Sequence, residues 1–287
     1  MKVQKLTINE NAYPSPLRDI PSPPKELYYL GMDPAAWLEH PRVAIVGTRG
    51  ITPYGRRVTE DFAYELAKRG VTIVSGLALG VDAVAHTAAL KSGGAHIAVV
   101  GNGLERIYPA SNTQLARELL QKGGVIISEY PETTPGLKQN FIARNRIVAG
   151  LSDAILITEA TEQSGTLHTA RFALEQGKDV MVVPGNITSP ASAGCNNLIK
   201  SGATPVCSLE DILHVLGAKN LAMTTVVHIG DTPEEQAILD ELYRGTSDAH
   251  ELLVAAAIEP QLFTQTLTML ELSGKIRPLG NNHWAPV

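Results

Sequence analysis

Residues 71–82 read Val-Thr-Ile-Val-Ser-Gly-Leu-Ala-Leu-Gly-Val-Asp: an apolar run that stops at Ser75-Gly76 and, past Gly80, turns into a helical pattern. An apolar run without polar alternation is buried on both faces, as in a parallel sheet sandwiched between helices. A glycine turn leading from such a strand straight into a helix is the repeating unit of α/β folds. The unit recurs along the chain. Runs at 43–47, 71–75, 96–101, 125–128, 154–158 and 180–184, with a weaker one at 204–207, alternate with amphipathic stretches at 56–69, 81–92, 111–122, 140–150, 165–176 and 209–216. Several of these stretches end in the glycine that helix C-termini favour: Gly70, Gly93, Gly123 and Gly177. The pattern predicts an α/β body over 41–217, a doubly wound, Rossmann-like, mainly parallel sheet.

Around that body the chain changes character. Residues 1–40 form a proline-rich lead-in (Pro14, Pro16, Pro21, Pro23, Pro24) that excludes regular helix. Residues 218–231 fit neither pattern and read as a linker. Thr232-Pro233-Glu234-Glu235 then restarts the chain as a helix N-terminus, with an N1 proline and dipole-matched acids. Helical patterns at 234–243, 249–256 and 260–273, followed by a β-wing over 275–286, predict a small winged-helix-like domain over 232–287. The full chain of 287 residues has net charge −5. From Thr232 onward eight acids face three bases, and residues 1–231 hold 21 of each, so the body is neutral overall and local clustering decides its electrostatics. No apolar run approaches bilayer length, no secretory h-region opens the chain, and Cys195 and Cys207 are the two cysteines. A cytoplasmic protein with no membrane association is the expectation.

The commonest chemistries of the fold lack their residues. The first loop has no G-x-G-x-x-G, and the third offers Gly101-x-Gly103 with Arg106 where the last glycine belongs. There is no G-x-x-x-x-G-K-[ST], so P-loop hydrolysis has no machinery. The eight histidines show no metal-ligand spacing, and no acid is placed to complete a triad with His168 or Cys195. Neither cofactor nor metal nor catalytic residue is expected.

Bases are the informative residues. Arg42, Arg49, Arg56 and Arg57 occur over 42–57 without an acid, and Lys138, Arg144 and Arg146 over 135–150 likewise, with Phe141 among them. In a doubly wound sheet these segments lie at the carboxyl edge of the strands, beside the loops that carry Gly76 and Ser164-Gly165-Thr166. Guanidinium forks bind phosphate oxygens, Asn140 and Asn145 add neutral donors, and an aromatic ring can stack on an unpaired base. The alternative is that Arg144 and Arg146 pair with internal carboxylates such as Glu129, Asp153 or Glu159, and that Phe141 is core.

The ordered motifs Gly47-Thr48-Arg49, Ser75-Gly76-x-Ala78-x-Gly80-Val81-Asp82, Ile107-Tyr108-Pro109, Ser128-Glu129-Tyr130-Pro131, Phe141-x-x-Arg144-Asn145-Arg146, Glu159-Ala160, Ser164-Gly165-Thr166, Pro184-Gly185 and Gly194-x-Asn196 resemble the DNA-processing protein DprA (Smf) family over about residues 12–217. The final module is similar to the winged helix of a subset of members, whereas the helical SAM-like domain that many carry before the body is not expected. The resemblance implies a cytoplasmic, non-catalytic, homodimeric protein. It would bind single-stranded DNA, protect incoming DNA in natural transformation and load the RecA recombinase onto it. Arg49, Lys138 and Phe141 match the family's strand-binding positions. Together with the residue-level reading, the expected interface is Arg49, Gly76, Lys138, Asn140, Phe141, Arg144, Asn145, Arg146, Ser164, Gly165 and Thr166. Cys195 departs from the family pattern, in which threonine is common at that place. The rival reading is a nucleotide-binding Rossmann enzyme or sensor of the phosphoribohydrolase-like type. Such hydrolases carry P-G-G-x-G-T-x-x-E, and the stretch Gln163 to Thr169 has no such acid.

Overall fold

The structure, a computed structural model, describes residues 2–217, 232–243, 246–280 and 282–286. The chain divides into two compact units, Met1–Ala222 and Met223–Val287. The expected linker at 218–231 lies outside the described residues.

The first unit is built on one nine-stranded sheet. Its strands are β1 (Gln4–Thr7), β2 (Glu26–Gly31), β3 (Arg42–Val46), β4 (Thr72–Ser75), β5 (His96–Val99), β6 (Val125–Ser128), β7 (Ala154–Ile157), β8 (Asp179–Val182) and β9 (Thr204–Pro205), in the order β1-β2-β6-β5-β4-β3-β7-β8-β9. The seven strands from β3 to β9 run parallel. The chain winds outward from β3 through β4, β5 and β6, then returns to the other side of β3 for β7, β8 and β9. This reversal is what doubly wound means, and it places a crevice beyond the carboxyl ends of β3 and β7. The helices are α1 (Pro53–Lys68), α2 (Val81–Ser92), α3 (Thr113–Gln121), α4 (Lys138–Leu151), α5 (Thr166–Glu175), α6 (Ala193–Lys200) and α7 (Leu209–Val215).

Strand alternation assigns the helices to faces. Val43, Ile45, Ile73 and Leu156 bury against Leu66 of α1, Ala85 and Ala89 of α2 and Ile212 of α7. Their neighbours Ala44, Val46, Val74 and Ile157 bury on the opposite face with Ile147 and Leu151 of α4 and Ala170 of α5. Both faces of the central strands are therefore covered, as the unbroken apolar runs required.

Two parts of this unit differ from the sequence expectation. The lead-in 1–40 is part of the sheet: β1 and β2 pair antiparallel, and β2 pairs antiparallel with β6. Leu27 and Tyr29 of β2 are buried on alternate positions, and Trp37, Tyr13 and Leu17 join the core beside α4. Prolines punctuate this segment without keeping it out of the fold. The second difference is α6, an eight-residue helix where no helix was expected. Its sequence, Ala-Gly-Cys-Asn-Asn-Leu-Ile-Lys, is too short and polar to show a helical period.

In the second unit α8 (Pro233–Tyr243), α9 (Ala249–Ala256) and α10 (Pro260–Leu272) precede a hairpin of β10 (Ile276–Gly280) and β11 (His283–Pro286). The elements and their order are those expected. Ile238, Leu252, Phe263, Leu270 and Ile276 form their own core.

Candidate nucleic-acid interface

Five loops leave the carboxyl ends of β3 to β7 on one side of the sheet and surround an open cleft of about 710 Å³. Arg49 comes from the loop after β3, and Lys138, Phe141, Arg144 and Asn145 from the first turns of α4. Ser164, Gly165 and Thr166 come from the entry to α5. Asp82 of α2 and Tyr108 of the loop after β5 complete the rim. Arg49 and Lys138 are exposed, and among the described residues neither forms an ion pair.

The two arginines of the 135–150 run have other duties. Arg144 is only 4% exposed, and its guanidinium donates to the carbonyls of Gly76, at 2.7 Å, and Val99. Burial lowers its pKa to about 10, opposed by the Asp82 carboxylate, so it stays charged at neutral pH. Asp82 is buried as well, and desolvation raises its pKa against the pull of Arg144 and, more weakly, Arg49. Its Oδ2 accepts the N–H groups of Gly76, at 3.0 Å, and Ala78, at 3.4 Å. The loop after β4 is thereby wrapped around two buried side chains, Asp82 and Arg144, that also line the cleft.

Arg146 requires a correction. It does not line the cleft. It makes a two-pronged bridge to Glu129, at 2.7 and 2.6 Å, and donates through Nε to the Ser22 carbonyl at 2.9 Å, which ties the lead-in to α4. Pairing with Glu129 was one of the alternatives open in the sequence. Asn140 also lies outside the cleft lining and is buried in the first turn of α4. Gly76 is a packing glycine: its N–H serves Asp82 and its carbonyl serves Arg144, and a Cβ there would sit 2.4 Å from the guanidinium. Its backbone has no group left to offer a phosphate.

At the α5 entry, Ser164 Oγ accepts the Thr166 N–H at 3.3 Å and donates to Thr166 Oγ1 at 2.9 Å. The N–H groups of Leu167 and His168 turn back to the carbonyls of Ser164 and Gly165. This corner therefore presents hydroxyls and a helix dipole more than open amides.

Phe141 is half-buried, with the Tyr108 ring 5.1 Å away and the Arg49 guanidinium carbon 5.9 Å from its centroid. Tyr108 was not among the expected site residues. The signal available was an aromatic side chain in a proline turn at the binding edge.

These features define a doubly wound α/β protein with a cationic, aromatic-lined cleft at its ligand edge. Residues 4–217 match the family model described as DNA recombination-mediator protein A, and the chain belongs to that family. It is 44% identical over 243 residues to Protein Smf of Synechocystis sp., an alignment covering 82% of this chain and 58% of that protein. The chain thus spans little more than half the length of that relative. The X-ray structure of DNA processing protein A from Streptococcus pneumoniae is 38% identical, with a TM-score of 0.69 and 74% of each chain covered. A structure of DNA processing protein A from Helicobacter pylori, which concerns that protein's single-stranded DNA binding mode, is 37% identical with a TM-score of 0.67. It covers 75% of this chain and 95% of that one.

Proposed function

We propose that the cleft binds single-stranded DNA and that the protein is a non-catalytic mediator that protects such strands and hands them to a RecA-type recombinase, as in natural transformation. The observation that carries this is the division of labour among the bases. Arg144 and Arg146 are spent on internal carbonyls and carboxylates, whereas Arg49 and Lys138 stand exposed and, among the described residues, without acid partners in a cleft that an aromatic pair also lines. Cations that meet backbone phosphates, with rings that meet bases, make a sequence-tolerant single-strand site. Paired and stacked bases cannot reach such rings, so duplex binding should be weak. Cytoplasmic location and a homodimer that joins two clefts complete the proposal; the H. pylori relative, whose structure concerns its single-stranded DNA binding mode, supports the strand reading alone.

The test is a titration of the full chain with oligo(dT) and with duplex of equal length across a salt series, alongside light scattering for oligomeric state. Preference for the single strand, with affinity falling as salt rises, supports the reading, and equal or tighter duplex binding overturns it. Release of free base from a nucleoside monophosphate would overturn the non-catalytic assignment.

A further inference from the structure

We infer that Tyr108, with Phe141 as its support, is the side chain on which an unpaired nucleobase stacks. This rests on the single-strand reading of the cleft and specifies how it takes a base.

Phe141 has little ring surface to offer. Tyr108 lies against it at 5.1 Å with 32° between planes, and Arg49 hovers at 5.9 Å. The backbone comes in close on other sides: a Cβ at Gly101 or at Gly136 would lie 2.7 or 2.8 Å from the Phe141 ring. Glycine is needed at both places to let the ring seat. Tyr108 is 51% exposed, and among the described residues its hydroxyl makes no hydrogen bond, so its outer surface has no structural duty.

The loop that presents Tyr108 is braced. Asn102 Nδ2 donates to the carbonyls of Gly103, at 2.8 Å, and Arg106, at 2.7 Å. The Gly103 and Glu105 N–H groups reach Thr134 and Glu132 at 2.9 and 3.0 Å. A fixed aromatic surface loses little entropy on contact, which favours stacking.

Insertion beneath the ring is excluded by volume. The cavity between Tyr108, Phe141, Leu79 and Arg144 measures about 50 Å³. A void of roughly 150 Å³ admits benzene, so a base, larger than benzene, does not fit. With that void closed to it, a base is taken on the face of Tyr108 that borders the open cleft, which Arg49 also lines.

The experiment compares oligo(dT) with an abasic phosphodiester strand of the same length on the full chain. Tyr108→Ala should weaken oligo(dT) binding about fivefold or more, the equivalent of one stacked base. Tyr108→Phe should bind as the parent does, and both variants should bind the abasic strand as the parent does. The tryptophan introduced by Tyr108→Trp should lose emission on adding oligo(dT) and not on adding the abasic strand. Wild-type affinity for oligo(dT) in Tyr108→Ala, or equal losses on both strands, overturns the assignment to Tyr108 while the strand site stands. If the parent retains neither strand, the reading of the cleft itself fails, and this inference with it.

Discussion

Replacing Arg49 and Lys138 by alanine, singly and together, probes the uncompensated charge of the cleft. For single strands, each phosphate that the protein ceases to neutralise takes about 0.7 from the slope of log affinity against log salt. Both side chains are exposed and, among the described residues, neither is held by an acid. Each is therefore assigned one phosphate, and the double variant's slope should fall by about 1.4. Between 50 and 200 mM salt, the fold-change in affinity should then shrink by roughly sevenfold relative to the parent. Fluorescence anisotropy with labelled oligo(dT) measures it. Arg171 supplies the control, being exposed on α5 and paired with Glu175 at 2.7 Å. Arg171→Ala should leave the slope unchanged. An unaltered slope in a folded Arg49/Lys138 double variant would refute the phosphate-neutralisation reasoning.

Other expectations concern the scaffold under the site. Gly76→Ala places a methyl within 2.4–2.6 Å of the Arg144 guanidinium and should cost roughly 1–3 kcal/mol in urea unfolding. Glu129→Gln leaves the Arg146 guanidinium short of its charge partner where both side chains are under 15% exposed; a loss of about 3 kcal/mol is expected, with the salt slope of binding unaffected. Among the described residues neither ring nitrogen of the buried His86 has a hydrogen bond of normal geometry, and desolvation, helped by His96 and only partly offset by the nearby Ser75 backbone, lowers its pKa to about 3. Because the unfolded chain binds the proton more readily, stability is full above about pH 6.5 and falls as pH drops toward 3. The decline is about 1.4 kcal/mol per pH unit from this group. His86→Leu should flatten that decline in thermal melts at pH 4.5–7, and a slope equal to the parent's would show that His86 is not its source.

The parallel core was legible because strands such as Val125–Ser128, buried on both faces, are apolar at every position but the last, and because glycines mark where helices stop. Gly93, for instance, takes φ +74 at the end of α2. Strand β2 was not legible: its alternation over Glu26–Gly31 is short, follows two prolines, and gains meaning only from pairing with β6, about a hundred residues later. The site shows the same division. Acid-free runs located the basic segments, but the sequence could not say which arginine is neutralised. Arg146 meets Glu129 at 17 residues' distance, and Arg144 meets carbonyls of two different strand ends. Such pairings are set by tertiary packing, and no local pattern encodes them.

The central claim is that an unpaired strand lies in the cleft between Arg49 and Lys138. Photocrosslinking of the full chain to an oligo(dT) carrying 4-thiothymidine, followed by peptide mapping, tests it most directly. Adducts should fall on peptides containing residues 101–110 and 136–146, and should vanish when unlabelled oligo(dT) is in excess. Specific adducts confined to residues 232–287, or to the sheet face covered by α1, α2 and α7 away from the strand ends, would contradict the account.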